Sequence, residues 1–202
     1  MDNKQIEEIF NQTFPGLALL YRDVELSIDL VSKYKVGQIV HERGFTDTSK
    51  FGGGPTTNLR YLIASAYGRD LSMFDPNAAK FGLILISSGA YFKVLDVYEK
   101  NGKTQILLLN IPETGIELFS STTTNVEHQV IEKARQNFDE KISAEPITAL
   151  STDEWKERTQ FPIGMDDKGQ FFGLPLTKVE QNKQSQPTID KPKSFWTKLF
   201  GE

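Results

Sequence analysis

AYFKVLDVYEK (90–100), then Asn101-Gly102, then KTQILLLNIP (103–112) is the stretch whose reading decides the fold. Asn-Gly readily supplies the two positive φ angles of a type I′ turn, and apolar runs on either side of it make a β-hairpin. With Asn101 and Gly102 as the loop, Lys100 pairs with Lys103. Counting back sets Val97 opposite Ile106 and Leu95 opposite Leu108, with Val94–Leu109 and Phe92–Ile111 on the other face. Apolar residues on both faces place this hairpin inside a sheet covered on both sides. FGLILIS (81–87), ended by Ser88-Gly89, reads as the neighbouring strand, so the 91–111 hairpin becomes the centre of an antiparallel meander.

Helices are expected on either side of these strands. Residues 4–10 carry Ile6, Ile9 and Phe10 at helical spacing and stop at Phe14-Pro15-Gly16. Between Leu17 and Val40 two periods compete: Leu20, Val24, Ile28 and Val31 fit a helix, while LALLY and VGQIV each fit a strand, and the helix is the reading taken. IELFS (116–120) suits a short strand. Residues 125–141 form a helix with Thr124 or Asn125 as N-cap and a stripe of Val126, Val130, Ile131, Ala134 and Phe138. Another helix follows Ser151 or Thr152, with Glu154 in its first turn, and Asp167-Lys168-Gly169 makes a turn. Helices before and after a block of strands give α+β, an antiparallel sheet packed with the N-terminal and 125–141 helices.

From about Thr177 the composition changes. TKVEQNKQSQPTIDKPK has no aromatic residue and too little apolar surface to offset the entropy of ordering. Residues 1–176 are therefore read as one domain, 177–193 as a flexible, disordered linker, and 194–202 (SFWTKLFGE) as an aromatic peptide. As a helix, that peptide puts Phe195, Trp196, Leu199 and Phe200 on one side. A groove on a protein partner is the preferred occupant, ahead of docking on its own domain or contact with a membrane surface.

Composition excludes several classes. The formal charge of −4 and the lack of a basic block disfavour nucleic acid. No cysteine is present, which removes thiolate metal sites and cysteine nucleophiles. The first residues do not resemble a secretory signal, and a cytoplasmic location is expected. His41 and His128 make no HxH, HxxxH or HExxH pair, so neither a metal nor a cofactor is expected. Asp153-Glu154 and Asp166-Asp167 fit helix starts and turns better than acid–base catalysis.

FGGGPTTNLR (51–60) is the stretch that most resembles a ligand loop. It lacks the GK[ST] of a P-loop and the GxGxxG of a dinucleotide site. If Leu59 opens a helix, Gly52, Gly53, Gly54, Thr56, Thr57 and Asn58 could present backbone N–H groups to an anion, with Arg60 beside them. If RYLIASAY is a strand, that site vanishes. Asp96 faces Leu107 in the hairpin and needs a partner such as Arg60, or an exit to solvent. The Ser/Thr run at 120–124 resembles the hydroxyl-bearing strand of ADP-ribosyltransferases, but the later Glu-x-Glu that those enzymes need is missing. The leading expectation is a non-enzymatic intracellular interaction protein with a C-terminal docking peptide. The alternative is an anion- or nucleotide-binding protein or enzyme using the 47–60 loop, with Arg60 and Asp96.

Overall fold

The computed structural model describes residues 17–121 and 125–174. The helix expected over 4–10, the cap at Thr124, the 177–193 linker and the 194–202 peptide lie outside these residues. In chain order the elements are β1 (Ala18–Val24), α1 (Ile28–Val31), β2 (Ile39–Glu42), β3 (Thr46–Ser49), β4 (Leu59–Ser65) and β5 (Arg69–Asp70). There follow α2 (Pro76–Phe81), β6 (Leu83–Ile86), β7 (Ala90–Lys100), β8 (Lys103–Ile111), α3 (Ile116–Ser121), α4 (Asn125–Lys141) and α5 (Asp153–Thr159). Among the described residues no helix is long and apolar enough to cross a membrane.

The strands form one mixed, mostly antiparallel sheet in the order β2-β7-β8-β4-β1-β3-β6-β5, with β4 and β8 parallel. Residues 43–45 join β2 to β3, although these strands stand five positions apart in that order. Five strand spacings span about 24 Å across a flat sheet. The four peptide units from Glu42 to Thr46 reach at most about 14 Å. The sheet therefore curls until its β2 edge approaches β3, and one of its faces becomes the inside of the curl.

Strand alternation sorts the side chains between the two faces. Leu20, Val24, Leu59, Tyr61, Ile63, Ile106 and Leu108 belong to the inner cluster, which also takes Ile163 and Met165 from the far end of the chain. Tyr21, Leu62, Ala64, Leu107 and Leu109 lie on the outer face, against Ala134, Val130 and Ile131 of α4. Burial of each large apolar side chain contributes about 1.5–3 kcal/mol, so both sides of the sheet are strongly held. Under α5, Trp155 packs on Phe81 at 5.0 Å between ring centroids. The Thr152 side chain caps α5 by accepting from the Trp155 N–H.

The α+β class, the hairpin and the 125–141 helix agree with expectation, and several details do not. The hairpin follows the expected register from Lys100↔Lys103 to Asp96↔Leu107, then shifts by one residue between Val94 and Asp96. This bulge leaves Val94 opposite Leu108 and Phe92 opposite Asn110. The meander ends at the hairpin, because the other edge of β7 is occupied by β2 while β6 pairs with β3 and β5. Residues 18–24 form a strand rather than a helix, since each of them pairs with β4. Residues 116–120, expected as a strand, lie in the helix Ile116–Ser121. Within the Ser/Thr run at 120–124, the described residues Ser120 and Ser121 are thus helical, and 122–124 lie outside the described residues.

Candidate functional site

The question posed by FGGGPTTNLR is settled by Leu59–Ser65, which is a strand buried along its whole length. No helix terminus opens behind the glycines. Their backbone is instead closed over by the chain that follows α4. Lys141 Nζ donates to the Gly52 carbonyl at 2.6 Å and to Tyr21 Oη at 3.1 Å. A Cβ on Gly53 would lie 2.8 Å from the Ile147 side chain, and one on Gly54 would collide with the Ala144 carbonyl. The Gly54 N–H donates to the Glu145 carbonyl. Close approach of two backbones is the reason glycine is needed here.

The polar residues of this loop are spent on β1 and the segment after it. The Thr56 N–H and hydroxyl both donate to Asp23 Oδ2, and the Thr57 hydroxyl donates to the Leu59 carbonyl. Asn58 accepts from the Leu26 N–H and donates to the Leu26 carbonyl. Arg60 stands opposite Asp23 in the β1–β4 register and grips it in a buried fork, Nε–Oδ1 2.7 Å and Nη2–Oδ2 2.8 Å. Its remaining nitrogen, Nη1, donates to the Gly53 carbonyl. Asp96 is partnered not by Arg60 but by Arg135 of α4, through two 2.7 Å contacts. The two residues read together in the sequence, Arg60 and Asp96, therefore serve separate ion pairs.

The side chain that stands out is Arg22, which the sequence reading passed over. It lies between Leu20 and Val24 in β1, on the inside of the curl, and is only 6% exposed. Nη1 donates to the Asp47 carbonyl and Nη2 to the Phe161 carbonyl, both at 3.0 Å, while Nε has no partner among the described residues. Burial lowers its pKa, and the surrounding Tyr61, Asp47 and Glu42 oppose that shift. Both nearby carboxylates are engaged elsewhere. Asp47 meets Arg158 at 3.3 Å, and Glu42 accepts from the N–H groups of Gly44 and Gly164.

Beside this guanidinium runs a strand of hydroxyls. Tyr21 pairs with Ser49, Arg22 Nη1 reaches the Asp47 carbonyl, and Thr46 and Thr48 flank Asp47 on one face of β3. The Thr48 hydroxyl donates to the Ile84 carbonyl, but Thr46 Oγ1 is buried without a partner among the described residues. On the same inner face Tyr61 donates to Tyr34 at 2.7 Å, and Tyr34 donates to the Ile163 carbonyl at 2.6 Å. Burial raises the Tyr61 pKa to about 12 and pushes that of Tyr34 well above the ordinary range. The available signal was an arginine inside the apolar run LALLYRDV, at a position that strand alternation turns inward.

The remaining candidates lie apart. His41 is in β2, stacked on Tyr91, and His128 is exposed on α4. Among the described residues no group of His, Asp and Glu could hold a metal ion. Phe195, Trp196, Leu199 and Phe200 lie outside the described residues. A cleft of about 520 Å³ runs between α1 and the hairpin, lined by Leu26, Val31, Val36, Asn58 and Val97 among others. Neither unpartnered buried atom is in its lining.

No family model matches this chain, and no curated protein does. Solved structures do resemble it. The type III effector XopAI from Xanthomonas axonopodis pv. citri matches at 20% identity over 50% of this chain and 46% of its own, with a TM-score of 0.43. Exoenzyme S from Pseudomonas aeruginosa, solved with human 14-3-3 protein beta and carba-NAD, matches at 18% over 64% and 68%, TM-score 0.41. The ADP-ribosylating toxin BECa of C. perfringens, solved with NADH, matches at 15% over 55% and 36%, TM-score 0.39. The chain thus spans about half the length of the first of these. At these scores the likeness carries no argument for a particular activity. These structures are of effectors and toxins, ADP-ribosylating ones among them, so the expectation of a non-enzymatic interaction protein has no counterpart among them and is not carried further.

Proposed function

We propose that this chain binds a small anionic ligand of the phosphate or nucleotide class on the inner face of the curled sheet, with Arg22 as the anion-holding group. The observation that carries this is the state of Arg22, a buried guanidinium that among the described residues is hydrogen-bonded only to peptide carbonyls, with Nε and the Thr46 hydroxyl both left without a partner there. Burying a cation without a directly bonded counter-ion costs several kcal/mol, and the two carbonyls, with Asp47 and Glu42 acting only through space, return part of it. A phosphate oxygen pair matches the guanidinium fork and would engage Nε and one Nη together. A hydroxyl at Thr46 then supplies a further donor. The ligand role thus moves from the glycines of the 47–60 loop to Arg22 of β1 and Thr46 of β3. The glycines serve close packing, and Arg60 is consumed by Asp23.

ADP-ribosyl transfer is not part of this reading, since no Glu-x-Glu occurs anywhere in the sequence. NAD nonetheless belongs among the probes, because two of the resembling structures contain carba-NAD or NADH. Inorganic pyrophosphate, ADP and NAD are titrated into the full chain while the unfolding temperature is followed. A ligand that binds the native state raises that temperature in proportion to the logarithm of its concentration. The proposal expects such a rise with at least one probe and its loss in Arg22→Gln. A rise of equal size in Arg22→Gln would place the ligand elsewhere.

A further inference from the structure

We propose that residues 161–173 form an internal strap that occupies the Arg22 site in place of ligand, so that binding requires its displacement; this rests on the reading of Arg22 given above. The strap leaves α5 and crosses the inside of the curl. Its first contact is the one that matters most, for the Phe161 carbonyl takes Arg22 Nη2 at 3.0 Å. A neutral peptide oxygen stands where an anionic oxygen would bind more strongly, since hydrogen bonds to ionised partners are about twice as strong as neutral ones.

From there the strap is fastened chiefly by side chains that reach up from the sheet and from beside α1. Tyr34 donates to the Ile163 carbonyl at 2.6 Å, and the Ile163 N–H meets Tyr61 Oη at 3.4 Å. The Gly164 N–H donates to Glu42 Oε2 at 2.7 Å. Gly164 has φ +80°, and a Cβ there would sit 2.8 Å from Cβ of Val40, so the chain can lie this low only with glycine at that position. Lys33 Nζ donates to the Gly169 carbonyl at 2.5 Å, and His41 Nδ1 meets the Gly173 carbonyl at 3.3 Å. The strap also closes on itself through Met165↔Phe171 and the Phe172 N–H to the Gly164 carbonyl. It is thus a compact loop with its own internal bonds, able to swing away as a unit. Burial of Ile163 and Met165 in the inner cluster makes the closed state the resting one.

A site that is open only part of the time binds with an apparent dissociation constant equal to the intrinsic one divided by the open fraction. Loosening the strap without touching Arg22 or Thr46 must therefore tighten binding. Tyr34→Phe removes the donor to the Ile163 carbonyl. Lys33→Met removes the bond to Gly169 at the outer end and leaves the buried core intact, which keeps a folded variant available. Each lost bond should raise the open fraction, and with it the apparent affinity, roughly five-fold.

The test is calorimetric titration of inorganic pyrophosphate into the full chain as wild type, Tyr34→Phe and Lys33→Met, with amide exchange at Ile163 and Gly164, whose N–H groups bond outside the strap, followed alongside. The proposal expects tighter binding in both variants, and faster exchange at these two amides when pyrophosphate is added to the wild type. Binding by a variant where the wild type shows none supports it as well. Equal or weaker affinity in both variants overturns the strap while leaving the Arg22 site standing. No binding by any of the three overturns both.

Discussion

Asp23 follows Arg22 directly in the chain, yet its carboxylate pairs with Arg60 on the opposite face of the sheet. Alternation along β1 turns the two side chains of this adjacent pair away from each other. The register that places Asp23 across from Arg60 gives the acid a partner within hydrogen-bonding reach. Arg22 is left on the inner face with carbonyls as its hydrogen-bond partners among the described residues.

The Asp23–Arg60 pair is buried on both sides, so removal of one member strands the other. Asp23→Leu and Arg60→Met should each lower stability by about 3–5 kcal/mol. The apolar double replacement Asp23→Leu/Arg60→Met should cost much less than the sum of the two. Urea denaturation of the four proteins closes the cycle. An additive double variant would show that the pair is not energetically coupled.

Gly54 lies against the Ala144 carbonyl, which is backbone and cannot swing aside. Gly54→Ala should therefore destabilise the fold by about 1–3 kcal/mol through overpacking. Gly102, with open space around its missing Cβ, is limited only by its positive φ, and Gly102→Asn should cost less. Thermal unfolding of the two variants ranks them. The reverse order would mean that the loop is not closed by the segment after α4.

Tyr61 links stability to alkaline pH. Its pKa is raised from 10.0 in its ordinary state to about 12 in the fold, chiefly by burial. The neutral phenol is favoured in the native protein, so its contribution is fully present below pH 10 and is lost as pH rises through about 12. Stability should fall across that window, and Tyr61→Phe should flatten the fall. Denaturant midpoints measured at a series of pH values decide it. An unchanged slope in Tyr61→Phe would assign the effect to other groups.

How much of this was legible in the sequence depends on range. The Asn101-Gly102 hairpin, the 125–141 helix and the Thr152 cap are all local, and each is carried by turn chemistry, periodicity or a capping side chain within a few residues. Residues 18–24 misled because two periods overlap there, and β1 becomes a strand through its pairing with β4, some forty residues on, whereas Ile28–Val31 is helical as expected. The bulge at Leu95 leaves no local trace, and its one-residue shift is what changes the partners of Val94 and Phe92. The neighbour of β6 was decided by β2, whose occupation of the β7 edge closes that position. Arg22 acquires its significance only when the curl brings 47 and 161 to the same guanidinium. Arg60 drew notice in the sequence by standing beside the glycines, whereas its role is set by Asp23 across the sheet.

The most direct measurement is calorimetric titration of inorganic pyrophosphate into wild type and Arg22→Gln. With Arg22 as the anion-holding group, the wild type binds and the variant loses at least ten-fold in affinity, as expected when a charge-assisted fork is removed. Equal affinity in both proteins would contradict the account.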